Sequence, residues 1–433
     1  MAFQRYKDAQ LISEKNSDQH IEAKQELNNR LKSLNDKLNI YQARLYGIDP
    51  KKKKEYETWK TSHQPFHWFV EFYEIIKSGG FDVIIGNPPY VEYSATKKTY
   101  SFKGYETISA GNLYAYVIER AIHIQKIGSY NGMIIPLSAY CTDRMDVFQN
   151  YEFANSSFVW LSNFAERPSK LFLGAERNLT ISILQLGEPK TNCDLFTTYY
   201  YKWNAEFRKY LFENISYFSA NGTNVYGIIP KVSTLKESNI LKNFRKIKNS
   251  VNTILASRLS EHILYYRNSG GRYWKIITDF QPQFFLEGKQ GISSRESYLY
   301  FNTKLEKKII TAIFNSSFFY WYYVMHSDAR TNNPSDLKDF PIDLARFNLK
   351  GKDKLAKLND QLMSDLENNS EFIIANLQTG KVKFQQFYPM KSKSIIDEID
   401  KILAEHYGFT EEELDFIINY DIKYRMGKEL EEE

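Results

Sequence analysis

The 433-residue sequence predicts an α/β protein with its sheet in the first half, followed by a mixed α+β segment and a helical carboxyl-terminal region. Three patterns point there. The run Val83-Ile84-Ile85 is apolar and β-branched without alternation, as in a strand buried on both faces. Strand-like and helix-like stretches alternate from residue 63 to about 190, which implies a largely parallel sheet covered by helices. From 191 to 345 tyrosine and phenylalanine become dense and turns frequent, and from 346 to 433 the pattern is charged and helical.

Residues 1–62 form a polar segment with Leu27, Leu31, Leu34, Leu38, Tyr41 and Leu45 at alternating spacings of four and three. This stripe is too short for a coiled coil and predicts an amphipathic helix packed on its own chain. The Lys51 to Lys54 run reads as a solvated loop. In the segment 63–190, Phe81 to Gly86 is a strand, Leu113, Val117, Ala121 and Ile124 mark a helix, and Met133 to Ile135, Phe158 to Leu161 and Leu179 to Leu186 are further strands. Thr410 to Glu413 forms a capping box near the end.

The most informative residues come directly after the first of these strands. Asn87-Pro88-Pro89-Tyr90 ends it, because two prolines forbid ladder pairing and the first pushes Asn87 into an extended conformation. Open α/β sheets bind ligands beyond the carboxyl ends of their strands. The Asn87 amide oxygen and the Pro88 carbonyl offer two acceptors, which match one exocyclic NH2. An amine held this way keeps its lone pair free to attack an electrophile, and Tyr90 can stack on a base. A plain post-strand turn is the structural alternative.

The flanking sequence favours chemistry. His63 to Val91 (HQPFHWFVEFYEIIKSGGFDVIIGNPPYV) resembles the approach to this motif in gamma-class N6-adenine DNA methyltransferases, in particular the type IIG restriction-modification methylases. Asn112-Leu113-Tyr114, Asn131 to Leu137, Arg167 to Ile183, Phe314 to Ile342 and Tyr407 to Gly427 come next, in that family's order. The resemblance spans most of the chain beyond residue 60. It implies a Rossmann-like methyltransferase sheet of which only the later strands are present. It also implies a target-recognition domain over 191–345 and transfer of a methyl group from S-adenosylmethionine to N6 of an adenine flipped out of double-stranded DNA. In that scheme Asn87 and the Pro88 carbonyl hold the amine, Pro89 stiffens the loop and Tyr90 stacks. Asn112 and Tyr114 stand near the cofactor, and Phe196 or Tyr199 supplies a second stacking ring.

One departure from the family pattern is large. Its first three strands, with the glycine-rich turn that cradles S-adenosylmethionine and the acidic residue that binds the ribose, have no counterpart in residues 1–86, where Gly79-Gly80 precedes a strand and opens no helix. The cofactor is therefore not expected to bind this chain alone. The strand before Asn87 would become an edge, a liability that needs covering. A polypeptide carrying the cofactor-binding half, a longer parent protein, or residues 1–60 folded over the edge would do so, and the first two are favoured.

Net charge is +5, so the bulk balance says little about nucleic acid, and distribution says more. Arg258, Arg267, Arg272 and Lys275 lie among aromatics around Gly270-Gly271, and Arg330, Asn332 and Asn333 occupy a second polar loop. Arginine reads guanine and lysine contacts phosphate, which makes Arg258, Arg267, Arg272, Lys275, Arg330 and Asn332 candidate DNA contacts. Cys141 and Cys193 have neither metal-ligand nor redox spacing, and reduced thiols in a cytoplasmic protein are expected. No membrane span and no metal are expected. A nuclease at Asp49-Pro50 and Glu55 to Lys60 has the wrong order and context. A non-catalytic DNA-specificity subunit is the competing function, although such a module has no physical reason to keep Asn87 to Tyr90 intact.

Overall fold

A computed structural model of the chain describes residues 2–11, 17–172, 174, 176–188, 192–223, 228–269, 273–377 and 380–427. The chain divides into two compact units, residues 1–132 with 185–189, and residues 133–184 with 190–433. The division falls inside the strand Gln125–Pro136, which is longer than the Met133 to Ile135 core seen in the sequence.

Unit 1 begins with three helices, α1 (Ala2–Leu11), α2 (Ser17–Leu45) and α3 (Lys53–His63). Lys53 and Lys54 thus open a helix, where the lysine run had suggested a loop. Along α2 the stripe residues Leu27, Leu31, Leu34 and Leu38 are half-buried, whereas Tyr41 and Leu45 are exposed. The helices pack on the segment that precedes the first strand: Phe3 meets Tyr73 at 5.7 Å and the His67 ring bonds Asn39 Oδ1 at 2.8 Å.

Strand β1 (Phe81–Gly86) comes next, then α4 (Leu113–His123) and β2 (Gln125–Pro136), whose first part lies beside β1. Gly80 is required at the start of β1. Its φ is +116°, and a Cβ there would overlap the Ile124 carbonyl, the acceptor for Phe81 N–H at 2.9 Å. β1 is the end strand of its sheet, and Val83 and Ile85 are 58% and 79% exposed. The apolar run that reads as a doubly buried strand is therefore an open edge, and the described residues among 1–60 do not cover these two side chains.

In unit 2 the strand order is β2, β4 (Leu179–Leu186), β3 (Ser156–Phe164), β5 (Asp194–Tyr201) and β6 (Phe218–Ser219), with α5 (Asp146–Ala154) leading into β3. β3 and β5 run parallel. Two smaller antiparallel sheets complete the strands. One has the order β11 (Glu296–Tyr300), β7 (Ile263–Arg267), β8 (Ile277–Thr278). The other has the order β10 (Lys289–Gly291), β9 (Phe284–Leu286), β13 (Gly380–Gln386), β12 (Glu371–Leu377).

The principal core of unit 2 gathers on α7 (Lys304–Phe314) and α8 (Ser317–His326), with α6 (Leu235–Phe244), α9 (Leu349–Asn368) and α10 (Lys393–Tyr407) against them. Phe314, Phe318, Phe319, Trp321 and Tyr323 are fully buried. The capping box at Thr410 forms as expected and starts α11 (Glu411–Asn419). The β12–β13 hairpin departs from the helical reading of residues 346–433. Its strands alternate, with Phe372 and Ile374 on one and Val382 and Phe384 on the other, and Gly380 at φ +120° begins the return strand.

Candidate functional site

The loop at the end of β1 is held in place by residues 91–113. Glu92 and Asn112 form an antiparallel bridge, flanked by Leu113 N–H donating to Val91 O at 3.0 Å and Tyr93 N–H donating to Gly111 O at 2.9 Å. Asn112 Nδ2 donates to Glu92 Oε1 at 3.2 Å. These bonds tie the residue after Tyr90 to the first turn of α4, so Tyr90 and Asn112 come together. Glu119 holds the approach. Its buried carboxylate accepts the Glu106 and Thr107 N–H groups, both at 2.9 Å, and the Thr107 hydroxyl at 2.6 Å. Tyr116 donates to Ile108 O at 2.8 Å, closing the same segment onto α4.

On this frame Asn87 is exposed, and its amide makes no hydrogen bond among the described residues. Pro88 is buried and Pro89 exposed. Tyr90 is half-buried, and burial pushes its hydroxyl up to about 12, so it stays protonated at neutral pH. The arrangement presents a free amide beside a rigid loop and a neutral aromatic ring, which suits holding a polar planar group. Tyr114 is buried in the first turn of α4. Asn112 is also buried, and its Oδ1 has no hydrogen-bond partner.

That orphaned acceptor lies beside the loop after β1 and could accept a hydrogen bond from a bound group. Among the described residues no strand leads through a glycine-rich turn into a helix in unit 1, and no acidic side chain comes after such a turn.

The remaining candidates lie in unit 2. Phe196 stacks on Trp160 within the sheet at 6.1 Å, and Tyr199 donates to Asp421 Oδ1 at 2.5 Å. Arg267, Lys275 and Asn332 line one groove of about 840 Å³ between the two small sheets. The Arg267 guanidinium lies 5.8 Å from the centre of the Phe384 ring. Lys275 is buried over Tyr323 at 4.6 Å, and desolvation lowers its ammonium to about 8 against the pull of Asp328 and Asp336. Asn332 is buried and donates to Arg267 O at 3.4 Å. Arg330 lies in a different cavity, paired with Glu166 at 3.4 Å. Arg258 is exposed in a bend, and Arg272 lies outside the described residues.

The same cavity holds residues that sequence reasoning passed over: Arg167, Tyr200, Lys202 and Arg295. Their signal was position, since Arg167 and Lys202 stand just past the ends of the parallel strands β3 and β5. Among the described residues no group of three or more His, Cys, Asp or Glu side chains gathers as a metal site, and no helix is long and apolar enough to cross a membrane.

Known proteins are similar to this chain. A Methanocaldococcus jannaschii protein described as a type II restriction enzyme and methyltransferase is 23% identical over 424 aligned residues. The alignment covers 79% of this chain, and the chain spans 34% of that protein's length. Among solved structures, the type IIL restriction-modification enzyme MmeI in complex with DNA aligns with a TM-score of 0.45 at 11% identity, covering 84% of this chain and 59% of that one. The type IIG restriction endonuclease BpuSI aligns with a TM-score of 0.25 at 8% identity, covering 78% and 54%. Residues 5–172 match the Eco57I restriction-modification methylase family model.

Proposed function

We propose that this chain supplies the target-base half of a site-specific DNA adenine N6-methyltransferase of a restriction-modification or related defence system. The observation that carries the reading is the exposed, unbonded Asn87 amide at the carboxyl end of β1, held beside Tyr90 by the Val91–Leu113 backbone bond. Asn87 Oδ1 and the Pro88 carbonyl accept the two hydrogens of an adenine amine, and Tyr90 stacks on the flipped base. Flipping costs a few kcal/mol, offset by this stacking and hydrogen bonding. The two acceptors hold the amine in line for attack and stabilise the positive charge that develops on it.

The methyl donor, S-adenosylmethionine, is assigned to a polypeptide or chain segment that completes the sheet beside β1. The open edge of β1, with Val83 and Ile85 exposed, supports that assignment. The match of residues 5–172 to methylases supports the reaction class.

The test is methyl transfer from labelled cofactor to double-stranded DNA, with and without a polypeptide carrying the glycine-rich half, and with Asn87→Ala as control. Transfer is expected only with the complementing half, and N6-methyladenine should be the product. Activity that survives Asn87→Ala would overturn the role given to this loop.

A further inference from the structure

Unit 2 contains a cavity of about 330 Å³ to which the proposed methyl transfer assigns no role, and its size falls at the lower end of ligand pockets. It opens past the carboxyl ends of the parallel strands β3 and β5, the position where α/β sheets bind ligands. Tyr200, Lys202 and Tyr320 are its buried floor, and Arg167, Arg295 and Arg330 are at its mouth.

The charges at this site are unequally compensated. Lys202 is neutralised by Asp421, and Arg330 pairs with Glu166, the one acidic side chain of the lining. Arg167 and Arg295 are exposed and form no ion pair among the described residues. The Tyr200 hydroxyl lies in a side chain only 5% exposed and, among the described residues, makes no hydrogen bond. Burial raises it well above the usual phenol range, so it remains a donor. The cavity thus offers two guanidinium groups that form no close ion pair among the described residues, Arg167 being only more distantly attracted by Glu176, and a phenolic O–H, with the Ser269 and Thr331 residues beside them. A donor-rich, cationic pocket with its one carboxylate already paired suits a phosphoryl group, whose oxygens accept from arginine forks.

We propose that this cavity binds a backbone phosphodiester of DNA, with Arg167 and Arg295 on its non-bridging oxygens and the Tyr200 hydroxyl donating to it. The uncompensated charge sits at an open mouth, which leaves both ester links free to continue along a strand. A closed site for a free dianion would need the floor lysine, and Asp421 occupies it. The proposal rests on the DNA-binding part of the proposed function and not on its chemistry.

The experiment uses the full chain and measures binding to a labelled duplex by fluorescence anisotropy across a range of salt. The variants are the double substitution Arg167→Ala with Arg295→Ala, and separately Tyr200→Phe. The double variant should bind at least tenfold more weakly on unrelated sequences, with a salt slope shallower by about one per lost phosphate contact. Tyr200→Phe changes no charge and should weaken binding severalfold with unchanged thermal unfolding. Wild-type affinity and slope in the double variant, or wild-type affinity in Tyr200→Phe, overturn the proposal, as does a wild-type chain that binds no duplex. Inorganic phosphate is titrated in parallel by calorimetry. Phosphate binding that these substitutions abolish while duplex binding stays intact would make this a site for a free phosphate ester and overturn the DNA assignment. Methyl transfer is read separately, so a chain that binds DNA here yet stays active as Asn87→Ala refutes the proposed function alone.

Discussion

Lys202 and Asp421 stand 219 residues apart in sequence and form an ion pair whose side chains are 4% and 1% exposed. Lys202 comes just after β5, Asp421 just after α11, and the Tyr199 and Tyr320 hydroxyls also donate to the Asp421 carboxylate. Desolvation lowers the Lys202 ammonium, and Asp421 opposes that shift. Removing one partner leaves the other charge buried and alone, which costs about 3–5 kcal/mol. Asp421→Ala should therefore destabilise unit 2 by about that amount in urea unfolding. Replacing both residues, as Lys202→Met with Asp421→Leu, should cost distinctly less than Asp421→Ala alone.

Glu119 should be nearly as costly to remove, although nothing in its helical position marks it. It accepts three hydrogen bonds from Glu106 and Thr107 while fully buried. Glu119→Ala leaves the Thr107 donors unpaired, at about 1–3 kcal/mol for each buried group. A loss of about 3 kcal/mol in denaturant unfolding is expected on that basis. A loss below about 1 kcal/mol would show that the 106–110 segment is not anchored this way.

The edge of β1 should respond in the opposite manner. Val83 and Ile85 are largely exposed, so Val83→Lys with Ile85→Lys should change stability by no more than about 0.5 kcal/mol per site. The pair should suppress self-association in light scattering, because charge on an open strand edge blocks pairing. The same pair should abolish complementation in the methyl-transfer assay. Complementation at the wild-type level would show that β1 is not where the cofactor half docks.

Glu152 makes stability depend on pH. Burial pushes its carboxyl up to about 8, partly relieved by the Tyr140 hydroxyl, which donates to Oε2 at 2.7 Å. The folded state thus binds this proton more tightly than the unfolded chain, whose carboxyl keeps the ordinary value of 4.5. Its contribution is fully present below about pH 4.5 and is lost as pH rises towards 8. Glu152→Gln should flatten the decline in stability between about pH 5 and about pH 8, measured by urea titration at each pH, with the variant gaining on wild type at the upper end.

For Tyr90 the expectation separates ring from hydroxyl. Tyr90→Phe should preserve methyl transfer in the complemented system, because stacking needs only the ring. Tyr90→Ala should lose about 1–3 kcal/mol of binding to duplexes carrying an unpaired target adenine. Equal losses in both variants would place the function in the hydroxyl instead.

Much of this arrangement was legible locally. The strand at Phe81 to Gly86, its termination at Asn87, the helix after Asn112 and the capping box at Thr410 all depend on neighbours in sequence: prolines, β-branched residues and reciprocal side-chain caps. The β12–β13 hairpin was missed although Phe372, Ile374, Val382 and Phe384 alternate, because the charged helices on either side dominate the pattern. The basic residues were harder. Arg258, Arg267, Lys275 and Arg330 are close in composition, yet Lys275 is buried on Tyr323, Arg330 is paired with Glu166, and Arg258 and Arg267 are exposed.

By itself the sequence determined where the chain must leave the sheet and which polar groups it carries there. Two prolines and an asparagine act within a few residues, through steric and hydrogen-bonding limits that no distant contact alters. Tertiary structure alone decided that Val83 and Ile85 stay exposed on β1, that Lys202 finds Asp421, and that Arg167, Tyr200 and Arg295 meet around one cavity. Those outcomes depend on strand order and on burial, which are set by contacts between residues far apart in the chain. A charge is free to bind or already spent according to which partner the fold brings to it.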